Sequence, residues 1–293
     1  STFWKKAIEK EITNMYEHDV WIIVRKSGDQ NRLNCTWVFK IKKNQLNVPT
    51  EYKARLCVKG FQQVKGTDYD ITYAPTGKLV SLRLLIVFAL NKNLKFHQID
   101  IKSAFLNAPL EEEIFLNPPQ GVSVPEGHVL KLKKAMYGLK QAPCAWHKTL
   151  SEWLLQIGFR RCEAEPCVFW RKGTFLYLHV DDLAIFSKNP NEFKQEVRSR
   201  FQIKDLGESN LLLGMNVDQK EDSVTLSQRH YIDSQLERFN CQNLYPASTP
   251  LKPKGHLVKA TKAERLEHIE SGNNYRSLVG ALNYLSVTTR PDI

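Results

Sequence analysis

No Cys-x-x-Cys pair occurs among the six cysteines, Cys35, Cys57, Cys144, Cys162, Cys167 and Cys241. The common zinc modules are thereby excluded, since the set Cys144, His147, Cys162 and Cys167 has none of their spacings. Reduced thiols in an intracellular chain are the expectation. No apolar run is long enough to span a bilayer. The best candidate, "LVSLRLLIVFAL" from Leu79 to Leu90, carries Ser81 and Arg83 and reads as a buried helix. The opening "STFWKKAIEKEI" has no signal-peptide apolar region, and no initiator Met precedes it, so the chain reads as cut from something longer. Internal repeats and low-complexity tracts are absent too.

Acids are scarce where bases gather. The 293 residues carry 42 Lys+Arg against 31 Asp+Glu, a formal charge of +11. From Arg25 to Lys65 ten basic residues face two acids, Asp29 and Glu51, and from Lys131 to Lys148 there is no acid at all. Clustered positive charge suits a polyanionic partner. A solubilising surface is the other reading, and charge alone does not choose between them. The length suits two or three subdomains sharing cores.

The hydrophobic pattern alternates between helix and strand periods. "FWKKAIEKEITNM" puts Trp4, Ile8, Ile12 and Met15 on one helical face, with Ser1 or Thr2 as cap. "CTWVFKIKKN" and "EYKARLCVKGF" alternate every second residue and are joined by "NQLNVPT", which predicts a hairpin whose polar face carries Lys40, Lys42, Lys53 and Arg55. "FHQIDIKSAF" reads as a strand running into a turn or helix. A helix opens near Pro143. "CVFWRKGTFLYLHVDDLAIF" reads as two or three strands, turning at "RKG". "NEFKQEVRSRF", "SQRHYIDSQLERF" (capped by Ser227) and "NYRSLVGALNYLSVT" read as helices. "NLLLGMNVDQKEDSVTLS" reads as a hairpin, and "YPASTPLKPKGHLVKATK" as a loop. The expected class is α+β, an antiparallel sheet with helices packed on one face.

"YLHVDDLAIFSK" sets Asp181 and Asp182 side by side between apolar runs, and Asp100 lies in the apolar strand "QIDIKSAF". Each alone has an ordinary reading: a turn for the pair, and for Asp100 a satisfied buried acid or a cap for the turn that follows. If their strands are neighbours, three carboxylates meet at one sheet edge. Mg²⁺ takes hard oxygen ligands and keeps waters, so a few convergent carboxylates suffice. Two such ions roughly 4 Å apart stabilise the attacking and leaving oxygens of a phosphoryl displacement. Successive strand residues face opposite sides, so the pair is expected at a tight turn, with Asp181 the fuller partner of Asp100 and Asp182 the supporting one.

These stretches, with "YKARLCVKGFQQVKGTDYDITYAPT", "HQIDIKSAFLNAPLEEEIF", "LKKAMYGLKQAPCAW", "EPCVFWR", "IKDLGESNLLLGM", "LSQRHYI" and "YRSLVGALNYLSVTTRPDI", resemble the reverse transcriptase of Ty1/copia-type LTR retrotransposons over nearly the whole chain. The resemblance implies a right-hand polymerase fold. Its fingers would be residues 1–76 with 108–142 returning to them, its palm 77–107 and 143–220, and its thumb and start of the connection 221–293. It implies RNA-directed DNA polymerase activity: dNTPs added to a primer 3′-hydroxyl on an RNA or DNA template, with Mg²⁺ (or Mn²⁺) held by Asp100, Asp181 and Asp182. Lys43, Lys53 and Arg55 would be the cations over the triphosphate, strand register deciding which touches it. Ser103 and Ala104 would offer backbone amides. Phe105 would be the ring that excludes a 2′-hydroxyl, a core role being its plainer alternative. Gln141 would lie near the sugar, and Lys204 would protonate pyrophosphate. His179 and the turn Leu213, Gly214, Met215 would face primer and template. RNase H and integrase portions of the same polyprotein are expected partners absent from this chain. No membrane is expected, and the location would be cytoplasmic, in a virus-like particle.

Departures from the family pattern are His179 in place of a tyrosine, Cys144 in place of a basic residue, and Gly77–Lys78 in "APTGKLVSLR". They keep open an alternative from another class: an inactive or domesticated nucleic-acid-binding domain of transposon origin.

Overall fold

The structure, a computed structural model, describes residues 2–28, 30–43, 48–208, 211–220, 222–245, 258–270, 272 and 274–293, without the side chain of Lys43. It is mixed α+β and divides into two units, Ser1–Glu208 and Ser209–Ile293.

The centre of the first unit is a six-stranded sheet. Its order is Ile203–Gly207, Lys95–Ile101, Asp182–Ser187, Thr174–His179, Val168–Arg171 and Arg160–Arg161, and every pairing is antiparallel. Two of its hairpin loops have two residues. Lys172 and Gly173 both take positive φ (43° and 79°), as a primed turn between right-twisted strands requires. The "RKG" turn is therefore where the pattern put it.

Helices cover both faces of this sheet, which corrects the expectation of one. Ala142–Gln156 and Pro190–Arg200 pack Trp146, Leu150, Leu154, Phe193 and Val197 into the main core with Ile99, Ile101, Leu183 and Ile185. The helix Leu79–Asn91 lies on the opposite face, where Phe88 meets Phe175 edge-on at 4.8 Å and the Tyr177 hydroxyl donates to the Gly77 carbonyl at 2.6 Å. A Cβ at Gly77 would meet the Tyr177 ring at 2.5 Å, which accounts for glycine at this departure from the family pattern. The helix is not buried all round. Leu82, Leu85, Ile86 and Ala89 form the inward stripe, whereas Val80 and Leu84 are about 70% exposed.

The hairpin Cys35–Lys43 with Pro49–Val58 is present, with Lys40 opposite Lys53, Val38 opposite Arg55 and Lys42 opposite Glu51. The polar face is thus less one-signed than its lysines suggest, since Lys42 pairs with Glu51 at 2.6 Å. Its other face packs Phe39 and Tyr52 against Trp4 of the helix Thr2–Glu17. A four-stranded sheet, Trp21–Arg25, His128–Leu132, Phe115–Leu116 and Arg32–Leu33, completes the unit.

The second unit holds the strands Leu211–Leu212, Met215–Gln219 and Val224–Ser227, and the helices Arg229–Arg238, Lys262–Glu270 and Tyr275–Thr288. Ser227 is not a helix cap, because it is still paired with Asn216 in the ladder. Gln228 takes that position, and its side chain serves Thr288 and Thr289 instead of the helix end. Residues 246–257, most of the predicted proline- and lysine-rich loop, lie outside the described residues. Among the described residues no helix is long and apolar enough to cross a membrane.

Candidate active site

Strand pairing sets the site. Asp182 stands directly across from Asp100, and Lys204 flanks Asp100 from the other side. His179 is opposite Asp182, so Lys204, Asp100, Asp182 and His179 occupy one row across four strands. Directly opposed residues of an antiparallel ladder share a face. The row therefore puts a cation and two carboxylates on the same side of the sheet.

Asp181 comes to this row through the turn that joins His179 to Asp182. Val180, the first of its two central residues, has φ +60°. A β-branched residue there is strained, at a cost of order 1–3 kcal/mol. Two hydrogen bonds hold it. The Trp146 indole donates to the Val180 carbonyl at 2.8 Å, and the Ile101 amide donates to the Asp181 carbonyl at 3.0 Å. The second ties the turn to the residue after Asp100.

Asp100 and Asp181 line a cleft of about 630 Å³ together with Lys53, Arg55, Lys204 and Ser103. Glu11, Asn14 and Tyr137 line it as well. Burial, then Asp181 and Asp182, push the Asp100 carboxyl above the usual range, opposed by Lys53 and Lys204. Burial also raises Asp182, opposed by a hydrogen bond from Gln98 Nε2 at 2.9 Å. Among the described residues no group of three or more His, Cys, Asp or Glu is arranged to hold a metal ion. The three carboxylates are neighbours without forming a closed set, and one oxygen of Asp182 is spent on Gln98. Two carboxylates in a cleft that also carries Lys53, Arg55 and Lys204 still fit Mg²⁺, which fills its shell with water and phosphate oxygens.

The raised Asp100 value has a measurable consequence. A carboxyl that binds its proton more readily in the folded state lowers stability at pH above its folded value, and the loss is relieved as pH falls through it. In metal-free buffer Asp100→Asn is expected to unfold at a higher temperature than the parent at pH 7. Thermal unfolding at stepped pH should show the gap closing as acid protonates Asp100.

The other predicted residues fall in several places. Lys53 is partly buried, and burial followed by Arg55 depresses its ammonium. The Arg55 guanidinium lies 5.1 Å from the centre of the Tyr137 ring. Lys43 ends its strand, but its side chain lies outside the described residues. Ser103 takes φ +51°, and its hydroxyl accepts from Asn14 Nδ2 at 3.0 Å. The Asn107 amide reaches the carbonyls of Lys102, Ser103 and Ala104 at 3.4, 3.1 and 3.4 Å. The peptide unit is planar and trans, so the amides of Ser103, Ala104 and Phe105 point the other way. Phe105 meets Tyr137 edge-on at 5.0 Å and also lines a second cleft of about 440 Å³ with Trp146, Leu178 and Val180.

Gln141 is not open to either cleft. It is buried, donating to the Asp68 carbonyl at 2.8 Å and accepting from Gln63 Nε2 at 3.0 Å. His179 keeps a buried Nδ1 with no partner among the described residues. Leu213, Gly214 and Met215 belong to the second unit. Leu213 and Gly214 have φ +50° and +78°, and the Tyr284 hydroxyl donates to the Leu213 carbonyl at 2.9 Å.

Sequence reasoning missed Gln98, Tyr137, Trp146 and Asn107. Gln98 carried a usable signal, two residues before Asp100 and hence on its face. Trp146 carried no such signal, because nothing local tells of its bond to a turn 34 residues away.

Residues 18–253 match the family model described as reverse transcriptase (RNA-dependent DNA polymerase). The chain is 37% identical, over 98% of its length, to the retrovirus-related Pol polyprotein from transposon TNT 1-94 of Nicotiana tabacum, and spans 23% of that protein. It is 33% identical over 99% of its length to the corresponding polyprotein from transposon RE1 of Arabidopsis thaliana, spanning 20% of it. Identity to the transposon Ty1-DR4 Gag-Pol polyprotein of Saccharomyces cerevisiae is 26% over 98% of the chain, which spans 19% of that protein.

Proposed function

The chain belongs to the reverse transcriptase (RNA-dependent DNA polymerase) family, in its Ty1/copia-type transposon branch, and from that premise we propose that it polymerises DNA on an RNA or DNA template within a longer Pol polyprotein. The observation that carries this reading is the single cleft lined by Asp100, Asp181, Lys53, Arg55 and Lys204. A polymerase must hold divalent cations and a polyanionic triphosphate within reach of each other. Opposed charges on facing elements of one cleft suit both tasks.

In this reading the sheet carrying Asp100 is the palm, the hairpin carrying Lys53 and Arg55 belongs to the fingers, and residues 221–293 are the thumb and start of the connection. Asp100 and Asp181 hold the cations, with Asp182 in support. Mg²⁺ bound there (or Mn²⁺ in its place) supplies charge stabilisation for the attacking and leaving oxygens. Lys53 and Arg55 draw the triphosphate over the cleft, and the amides of Ser103 and Ala104 meet its oxygens. Lys204, beside Asp100, delivers a proton to the leaving pyrophosphate. Gln141 acts by bracing the loop at Asp68, not by touching the sugar. His179 and the turn at Leu213, Gly214 and Met215 face the primer. RNA template, DNA primer and dNTPs are the partners.

The test is primer extension by the purified chain on an RNA template with dNTPs and Mg²⁺. Incorporation is expected. Tight, salt-sensitive binding without incorporation favours the non-catalytic binding domain instead.

Phe105 supplies a second check. Its ring, set edge-on to Tyr137 beside the cleft, blocks the space a ribose hydroxyl needs. Phe105→Ala is expected to lower the preference for dNTPs over rNTPs by about 10- to 100-fold in kcat/KM, measured by competitive incorporation. An unchanged ratio assigns the ring to packing alone.

A further inference from the structure

A glutamine two residues before Asp100 is an unusual thing to bury in a sheet. Gln98 is 3% exposed. Strand alternation puts it on the Asp100 face. Register puts Ala184 across from it and Asp182 across from Asp100. Gln98 is therefore diagonal to Asp182, about 7–8 Å away in a regular ladder with the Cβ atoms somewhat closer. A glutamine amide bridges that gap, and an asparagine amide is one methylene shorter. The methyl side chain of Ala184 leaves room for the glutamine stem. The resulting bond is Gln98 Nε2 to Asp182 Oδ1 at 2.9 Å.

The chemistry of the donor matters as much as its reach. A carboxylate accepts through both oxygens. A lysine placed here would satisfy Oδ1 but would also cancel the charge that attracts a cation. The neutral amide fixes the carboxylate plane and leaves its charge in place. Partners behind a ligating group typically set its orientation and a factor of about 10–100 in metal affinity.

We propose that Gln98 is a positioning residue of the cation site, holding Asp182 by Oδ1 so that Oδ2 alone is presented beside Asp100 and Asp181. This rests on the reading that these aspartates bind the divalent ions. Gln98 touches neither nucleotide nor metal. Its effect is on ion affinity, not on dNTP affinity.

The experiment is Mn²⁺ binding to the full chain, followed by electron paramagnetic resonance, with the Mg²⁺ dependence of primer extension beside it. Gln98→Met removes the donor at similar volume, and Gln98→Asn draws the donor back by one methylene. Both are expected to weaken Mn²⁺ binding about tenfold and to raise the Mg²⁺ midpoint similarly, with the KM for dNTP unmoved. In an Asp182→Asn background, Gln98→Met should weaken binding no further, because the two residues act as a unit. Whichever Gln98 variant keeps the parental unfolding midpoint decides the matter. Parental Mn²⁺ affinity in that variant, with Asp181→Asn binding weakly, overturns the role of Gln98 alone. Parental affinity in Asp181→Asn overturns the cation site itself.

Discussion

Asp181→Asn is expected to lower primer extension about 10³-fold or more while template–primer affinity stays within about twofold, a loss of about 4 kcal/mol of transition-state stabilisation. The substitution keeps the shape of the side chain and deletes its charge. The backbone should not move, because the turn is held by its carbonyls: Trp146 on Val180 at 2.8 Å and Ile101 on Asp181 at 3.0 Å. Folding should not suffer either. Asp181 is one of the charges that push the Asp100 carboxyl up, so its removal relieves repulsion. A lost activity with an unlowered unfolding midpoint therefore isolates the chemistry from the fold. Steady-state extension measured against a filter-binding assay separates the two quantities. Extension within tenfold of the parent would remove Asp181 from the catalytic step, and the cleft would then be left as a cationic docking surface.

Much of this arrangement is legible along the chain, and the reason is the strict period of two. Alternation at Trp37, Phe39 and Ile41 and again at Tyr52, Ala54 and Leu56 predicts the hairpin, and the observed register pairs those very sets. The same period places Asp100 and Gln98 on one face. What the period does not say is which strands are neighbours. The proximity of Asp100 to Asp182 comes from a pairing between strands some 80 residues apart, and the sequence identifies it only through the family resemblance.

An element whose apolar residues find no core escapes reading. Lys262–Glu270 has no buried residue, with Leu266 and Ile269 exposed. The strand Trp21–Arg25 is a short apolar run directly after a helix, and it is fixed as a strand only by pairing with His128–Leu132. Ser227 has the chemistry of a helix cap, but a long-range ladder outcompetes that local preference.

Gly138→Ala should be the most disruptive single methyl in the first unit. Gly138 has φ +93°, and a Cβ there would lie 2.0 Å from the Val58 carbonyl oxygen and 2.9 Å from its nitrogen. These are backbone atoms of the Lys53–Arg55 strand, so no side chain can turn aside. Val58 is itself anchored, its amide donating to the Tyr137 carbonyl at 2.8 Å. Gly60 closes the other side, since a Cβ on it would meet the Gly138 carbonyl at 2.1 Å. The turn must therefore back away from the hairpin, carrying Tyr137 from its place between Arg55 and Phe105 and breaking the Gln63 contacts with Lys140 and Gln141. A loss of about 3 kcal/mol or more is expected, beyond the roughly 1 kcal/mol that a left-handed alanine costs by itself. Gly173→Ala supplies the comparison: its φ of +79° is similar, but a Cβ there meets nothing within 4 Å. Thermal unfolding of the two variants should differ by several degrees, with Gly138→Ala the lower. Equal midpoints would mean that the close backbone approach at Val58 does not hold the hairpin to the cleft lined by Asp100 and Asp181.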